Sequence, residues 1–376
     1  MHAGVRGFLR FTDTHPDRCD PRPAATADAL SATEQRLGTP LPTDLRLVLQ
    51  KHDGGSWPSG YLLGVGPEDR CIESVLTEVA QSLGRSPDDP EMFLPFLRDE
   101  GGALLAFDRS AGPVPDTWPI VDIYLPTRDM KLAHRTFDGW LLFSVADWES
   151  PDYGNDFTLE SYLARAQRHV EHEPDVAVAH ATVAHAYRRL GEPEKALLAY
   201  VRAAGCVPPL PYCDWEALKL AVLLRQPTAA YEAAHRLSAR APALLWHQRE
   251  TSPAHVADCI GLLVRGVVAR GGSLGQPLEK WIYLLDQLSA QADEAERIQV
   301  HAVRHALLSA SELPPTRPSR PSMVAVHVDP SKWWDAVRAS YHDGTLRDDD
   351  LVLDPMLEPL RARYDFSEIV RIRRDF

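Results

Sequence analysis

The chain has 376 residues, a formal net charge of −13 and 31 prolines, and its length predicts about two domains, each large enough to bury its own core. The excess of acid excludes the extended basic surface that nonspecific binding to nucleic acid or to an anionic membrane needs, so we expect neither partner and favour basic ones. An odd set of five cysteines without a Cys-x-x-Cys pair, no long apolar run and no signal peptide predict a cytoplasmic protein with reduced thiols.

The first predicted elements are two helices joined by a rigid Leu-Pro corner. Residues 31–34 have the pattern of a capping box, and Pro40 and Pro42 break the helix that follows. Residues 44–51 have the spacing of a second amphipathic helix. We expect Gly54 and the glycine after it to end that helix.

A small sheet is predicted next. Its strands are three short apolar runs bounded by Gly, Pro and Asp, at residues 61–65, 103–107 and 120–125. Residues 72–83 predict a helix between them. Residues 136–147 fit a closing helix capped by Thr136, and a strand at residues 140–143 is the alternative, because a glycine weakens the helical pattern.

Three blocks of this region share an order with a known family. They read LGTPLPTDLRLVLQKHDGG (residues 37–55), FLPFLRDEGGALLAFD (residues 93–108) and TFDGWL (residues 136–141). Together they resemble the SUKH superfamily, bacterial immunity proteins related to a fungal cell-wall regulator. The segment YLPTRDM, residues 124–130, departs from the polar aromatic strand common in that family. The resemblance implies an α+β domain over residues 1–150 and a non-enzymatic protein that binds and blocks a toxin, often a nuclease.

A 34-residue period marks the second half. Three prolines are spaced at this interval: Pro174, Pro208 and Pro242. Two further pairs share it, Ala196 with Ala230 and Tyr200 with Ala234. Thirty-four residues is the length of a tetratricopeptide repeat. Small residues at such positions let paired helices approach closely, and proline ends the second helix of a pair. We therefore predict an all-α, tetratricopeptide-like solenoid over residues 155–312.

The last segment, residues 313–376, is predicted to be a Pro-rich connector followed by a helical cap. Four prolines stiffen the connector: Pro314, Pro315, Pro318 and Pro321. Trp333 and Trp334 open a helix and are expected to belong to the core of the cap. The three aspartates at 348–350 have the pattern of a solvated helix start, where carboxylates face the positive end of the helix dipole.

Strings that resemble catalytic or metal-binding motifs lack the required context. Residues 271–275 spell G-x-S-x-G, but between two predicted helices instead of between a strand and a helix. His301 and His305 have zinc-helix spacing without a third ligand. We predict no cofactor and no metal site, and retain a hydrolase using Ser273 or a metal enzyme using His301 as a weaker alternative.

Acidic residues concentrate in the first domain. Residues 1–150 carry 14 Lys and Arg against 23 Asp and Glu, a balance of −9, whereas the remaining residues carry 26 against 30, a balance of −4. This excess serves either solubility alone or a face for a basic partner. The predicted partner-binding carboxylates are Asp99, Glu100, Asp108, Asp116 and Asp122. Trp57 and Tyr61 are predicted either as aromatic anchors of that face or as core residues.

The family resemblance and the acidic excess predict one function, and the helical repeat leaves a second open. The first is neutralisation of a cognate protein toxin through the acidic surface, without catalysis. The alternative is an interaction scaffold or regulator that holds a peptide or protein in the solenoid groove.

Overall fold

The computed structural model describes residues 2–65, 70–87, 89, 93–155, 157–207, 209–210, 212–239, 252–322 and 329–374. The chain divides into two compact units. The first comprises Met1–Phe157 with Gln167–Ala179, and the second comprises Thr158–Ala166 with His180–Phe376. Among the helices of the described ranges, none combines the length and the apolar character that crossing a membrane requires.

The first unit contains a seven-stranded antiparallel sheet whose strands lie side by side in chain order. The strands are β1 (Asp20–Pro21), β2 (Gly55–Trp57), β3 (Gly60–Leu62), β4 (Leu94–Arg98), β5 (Leu104–Phe107), β6 (Ile120–Tyr124) and β7 (Asp129–His134). Antiparallel neighbours reverse direction at each step, so the β2–β3, β4–β5 and β6–β7 turns lie at the same end of the strands. We call these turns, residues 58–59, 99–103 and 125–128, the hairpin edge.

Five helices accompany the sheet: α1 (Ala3–Thr14), α2 (Ala27–Leu37), α3 (Thr43–Leu49), α4 (Ile72–Leu83) and α5 (Phe137–Trp148). The start of α2 corrects one prediction, because Thr26 is its N-cap and accepts a hydrogen bond from the Ala29 N–H at 3.1 Å. The predicted capping box at residues 31–34 therefore lies inside the helix. The closing helix α5 is confirmed, with the Thr136 hydroxyl accepting from the Gly139 N–H at 3.0 Å.

The exit from α3 also differs from prediction. The helix ends at Leu49, Gly54 lies in a bend, and Gly55 begins β2, so neither glycine caps the helix. Gly55 has a φ of 131°, and a Cβ there would lie 2.4 Å from the Asp20 carbonyl oxygen on β1. Glycine at this position lets two strands approach closely.

The core of the first unit is aromatic where α1 and α5 cover the sheet. Phe8 of α1 lies 5.0 Å from the Trp57 ring and 6.0 Å from the Trp148 ring, between centroids. Phe96 of β4 makes an edge contact with Trp140 of α5 at 5.0 Å. These tilted contacts fix how the helices lie on the strands.

Every regular element in the described part of the second unit is a helix. The boundary between the units falls within α6 (Leu159–His172). The following helices are α7 (Ala177–Arg189), α8 (Pro193–Gly205), α9 (Tyr212–Leu223), α10 (Pro227–Ala239), α11 (Pro253–Val268), α12 (Leu278–Gln291), α13 (Glu294–Ser309), α14 (Pro330–His342), α15 (Asp348–Leu353) and α16 (Glu358–Arg361). An α+β region followed by an all-helical region is the predicted fold class.

The 34-residue interval is visible in two helices. Pro193 and Pro227 begin α8 and α10, and Ala196 and Ala230 are fully buried at equivalent places. Pro208 and Pro242 of the predicted period lie outside the described residues. The tetratricopeptide-like character of the solenoid stays a prediction.

The C-terminal tryptophans are buried. Trp333 and Trp334 are each 8% exposed, and the Trp334 ring stacks on Tyr364 at 4.4 Å between centroids. The core assignment of this pair is confirmed.

Candidate functional site

Asp99 and Glu100 occupy the tip of the β4–β5 turn on the hairpin edge, and both are exposed. The Asp99 carboxylate accepts a hydrogen bond from the Ala103 N–H at 2.7 Å, which closes the turn. Gly102 completes it with a φ of 84°. The fold therefore presents two adjacent carboxylates at a rigid tip.

Asp108 and Asp116 lie beyond the opposite end of β5. Asp108 accepts from the Ser110 N–H at 3.0 Å and from the Ser110 hydroxyl at 2.6 Å, and so caps a short 3₁₀ turn. Asp116 accepts from the Thr43 N–H at 2.6 Å and from the Thr43 hydroxyl at 2.8 Å, at the start of α3. Both carboxylates hold local structure.

Asp122 is half-buried on β6, where its cross-strand neighbour on β7 is Lys131, with 3.1 Å between the carboxylate and the ammonium. Its charge is thus partly neutralised within the sheet. The five predicted carboxylates thus lie in three places: two before β5, two after it and one on β6. They do not form one continuous cluster.

The two predicted aromatic anchors have different places. Trp57 is 4% exposed, packs against Phe8, and donates its indole N–H to the Thr12 hydroxyl at 3.0 Å. It is a core residue, so its ring is not available as a surface anchor, and that alternative for Trp57 is corrected. Tyr61 is half-buried on β3 and carries the Arg70 guanidinium 4.8 Å from its ring centroid.

The three aspartates at the start of α15 are buried, which corrects the predicted solvated helix start. Asp348, Asp349 and Asp350 are 6%, 3% and 4% exposed. Each meets a cation from a different part of the second unit: Arg188 of α7, Lys219 of α9 and Arg320 of the connector. Buried carboxylates need such partners, because moving an unpaired charge from water into the protein interior costs much free energy.

The Asp348 carboxylate is the most connected of the three. It accepts from the Arg188 Nε at 2.9 Å and from the Tyr341 hydroxyl at 2.8 Å. Burial opposes its ionisation, but attraction to Arg188 and the hydrogen bonds from it outweigh that effect and lower the Asp348 pKa. Burial likewise lowers the Lys219 pKa, and attraction to Asp349 and Glu216 more than reverses this, so the ammonium stays charged.

A second buried polar cluster lies in the first unit. The Nδ1 atom of His134, at the end of β7, is 2.5 Å from Glu173 Oε2, and the Nε2 atom of His169, on α6, is 3.1 Å from the same oxygen. Burial opposes ionisation of Glu173, but hydrogen bonds from the two imidazoles hold its pKa at about 2. Burial lowers the His134 pKa against the opposing effect of Glu173. The sequence analysis missed this cluster; the i, i+4 spacing of His169 and Glu173 was the available signal.

The second unit contains a cavity of about 910 Å³. Its walls are apolar side chains of α11 and the C-terminal segment, and four arginines line it: Arg225, Arg265, Arg270 and Arg361. Arg225 pairs with Asp365 at 3.1 Å, and Arg361 pairs with Glu358 at 2.9 Å. A partly apolar cavity with several cations suits an anionic or acidic ligand.

The motif-like residues have ordinary surroundings. Ser273 lies in an exposed loop between α11 and α12, and no strand precedes it within residues 252–322, so the geometry of a nucleophile elbow is missing there. The His301 Nε2 atom is 2.7 Å from the Ser289 hydroxyl, and the His305 Nδ1 atom is 3.5 Å from the Ser309 hydroxyl. Among the metal-ligating clusters of the described residues, neither histidine appears.

The antiparallel sheet with α2 to α5 defines the class of the first unit, an α+β domain of the SUKH type. Residues 24–142 match the SMI1 / KNR4 family (SUKH-1), so the chain carries a SUKH-1 domain, and the resemblance found in the sequence is confirmed. No curated protein is significantly similar to the chain. Helix α1, which precedes the matched range, adds Phe8 and Phe11 to the core.

Proposed function

We propose that this protein is a non-enzymatic immunity-type protein that neutralises a cognate protein toxin by binding it through the SUKH-1 domain. The match of residues 24–142 to the SUKH-1 family carries the proposal, since that domain is compatible with immunity or regulatory functions and with protein partners. Binding that covers a toxin's active site needs no chemistry from the binder.

The hairpin edge is the contact surface that we propose. Asp99 and Glu100 project at its tip, and both are exposed. Arg98, the neighbouring cation, is engaged by Glu78 of α4. The tip therefore presents net negative charge, which complements the basic groove of a nucleic-acid-active toxin and accelerates association.

The remaining predicted residues have supporting roles in this proposal. Asp108 and Asp116 shape the loops at the other end of β5, and Asp122 is paired with Lys131. Tyr61, on the strand that leads away from the β2–β3 turn, supplies the aromatic surface next to the acidic tip.

Capture from native lysate tests this surface. The bait is the full chain, compared with an Asp99→Asn, Glu100→Lys variant, in which Asn retains an acceptor for the Ala103 N–H. Glu279→Lys, a reversal at an exposed position on α12, is the matched control. We expect the wild type and the control to retain a basic toxin and the tip variant to lose it. Equal retention by all three would remove the hairpin edge as the contact surface.

A second candidate function, an interaction scaffold or regulator, is favoured by the arginine-lined cavity of the second unit. Arg265 is half-buried and Arg270 exposed at its wall, beside the apolar surface of Leu262. An acidic peptide with apolar side chains fits that combination. Loss of partner capture in Arg265→Glu, with capture retained in the hairpin-edge variant, would identify this function instead of toxin binding.

A further inference from the structure

Three side chains of the first unit place metal-ligating atoms together. His134 ends β7, His169 lies in the last turn of α6, and Glu173 follows the end of that helix. One ligand atom from each lies within 4.8 Å of the others. Their side chains are 7%, 12% and 4% exposed, respectively.

The spacing of the three atoms is close to that of a zinc site. With bonds of about 2.0–2.2 Å to nitrogen and oxygen, tetrahedral zinc holds its ligand atoms about 3.3 Å apart. In the structure, the histidine nitrogens lie 2.5 Å and 3.1 Å from Glu173 Oε2. Both distances are shorter than this spacing, so zinc binding requires the carboxylate oxygen to move away from the two nitrogens.

The second oxygen of Glu173 is already positioned. Oε1 accepts a hydrogen bond from the Arg135 N–H at 2.7 Å, which leaves Oε2 directed at the two imidazoles. At Gly139, in the first turn of α5, a Cβ would lie only 2.5 Å from Oε1, so glycine provides the space that the carboxylate occupies. Such outer contacts orient the ligands of metal sites.

The neighbouring rings fix the histidines. The His169 ring lies 4.7 Å from the Phe143 ring and 4.6 Å from the His134 ring, between centroids. These contacts hold both imidazoles against an apolar wall, with the ligand atoms facing Glu173.

The other cluster of this kind within the described ranges is built differently. It comprises His2, Asp44 and Asp138. The His2 side chain is 70% exposed, and Asp138 already accepts from the Gly4 N–H at 2.6 Å. A long exposed side chain beside the start of the chain does not preorganise a site.

We propose that His134 Nδ1, His169 Nε2 and Glu173 Oε2 bind one zinc ion, with water as the fourth ligand, and that the ion fastens the end of α6 to β7. Two imidazoles and a carboxylate form a donor set that zinc accepts in proteins. Structural zinc sites usually have four protein ligands, whereas water completes the set here, so we assign to the ion only the joining of α6 to β7 and no chemistry. The inference does not depend on toxin binding.

Zinc titration of the full chain tests the site. Chelator-treated protein is titrated with zinc in competition with a chromophoric chelator, and Co²⁺ is added separately to follow its visible d–d absorption. We expect one equivalent of tight binding, a cobalt spectrum typical of four nitrogen and oxygen ligands, and a higher thermal midpoint with zinc. Glu173→Gln and His169→Ala should each weaken zinc binding by about tenfold or more.

The matched control is His301→Ala with His305→Ala, which removes the sequence's zinc-like pair on α13. It should keep one equivalent and the cobalt spectrum. Circular dichroism identifies a variant that does not fold. If both ligand variants fail to fold, the cobalt spectrum of the wild type decides whether the metal site exists. Absence of stoichiometric zinc binding in the wild type, equal affinity in Glu173→Gln, or a spectrum of fully hydrated cobalt would each overturn the proposal.

Discussion

Lys219 of α9 and Asp349 of α15 form an ion pair in which each side chain is only 4% exposed. Glu216, one turn earlier on α9, also accepts from the Lys219 ammonium, at 2.7 Å. Two buried charges 130 positions apart in the sequence thus compensate each other. The pair fastens the C-terminal segment to the helices of the second unit.

Removing one partner of this pair should destabilise the protein strongly. We expect Lys219→Met to lower the free energy of unfolding by about 3–5 kcal/mol, because Asp349 is then buried without its cation. The double variant Lys219→Met, Asp349→Leu should recover part of that loss, since only Glu216, whose side chain is 23% exposed, then lacks its cation. Urea unfolding measures both. A double variant as unstable as the sum of the single variants would show that the two groups are not coupled.

Asp258 of α11 should give stability an unusual pH dependence. Burial raises its pKa to about 6, although it accepts from the Arg317 N–H at 2.9 Å and from Gln299 Nε2 at 2.7 Å. The unfolded value is about 3.9, so between about pH 6 and 4 the folded state binds more protons. This group therefore adds stability as pH falls, whereas Asp348, whose pKa is lowered, loses its contribution on acidification.

The variant Asp258→Asn isolates that contribution. Relative to the wild type, it should be stabilised by up to about 2–3 kcal/mol at pH 7.5 and should lose this advantage near pH 4.5. Urea unfolding of both proteins at the two pH values measures the difference. A difference that does not change with pH would contradict the raised pKa.

Substitutions of Asp116 and Glu100 should differ in their effect on the stability of the fold. Asp116→Ala removes the acceptor of the Thr43 N–H at the start of α3 and should cost about 1 kcal/mol of stability. Glu100→Ala, at an exposed turn position, should change stability by less than about 0.5 kcal/mol. Thermal unfolding compares them. Equal stability of both variants would argue against the capping role of Asp116.

Trp57 should behave as a core residue. Trp57→Ala should cost about 3–5 kcal/mol because it opens a cavity beside Phe8 and leaves Thr12 without its indole partner. The milder Trp57→Phe should keep the fold, and partner affinity per folded molecule should equal that of the wild type. A large loss of affinity in folded Trp57→Phe protein would restore the anchor role.

The sequence predicts those elements of the fold whose ends are set by contacts between residues close together in the chain. The cap of α5 was found because Thr136 bonds a backbone N–H three residues away. Strand β4 is not among the predicted strands. Its Pro95 lacks the N–H that a strand interior uses, and the structure accommodates it where the register shifts between Pro95 and Leu97. The predicted start of α2 at residues 31–34 is wrong because the Thr26 side chain, five residues before Ser31, supplies the cap.

Distant partners account for most of what the sequence does not predict about the sites. The aspartates at 348–350 have the composition of a solvated turn, and their burial depends on cations such as Arg188, 160 positions earlier. His134 and Glu173 are 39 positions apart and meet only because α6 ends beside β7. Asp99 and Glu100 are exposed at their turn, and their role in partner binding stays a prediction.

Growth of cells that co-express this protein with a basic toxin captured by the full chain tests toxin neutralisation through the hairpin edge most directly. The full chain and the Glu279→Lys control should restore growth, and the Asp99→Asn, Glu100→Lys variant, at equal expression and stability, should lose most of the protection. Full protection by the tip variant would contradict the proposed surface. No protection by the wild-type chain would contradict neutralisation of that toxin.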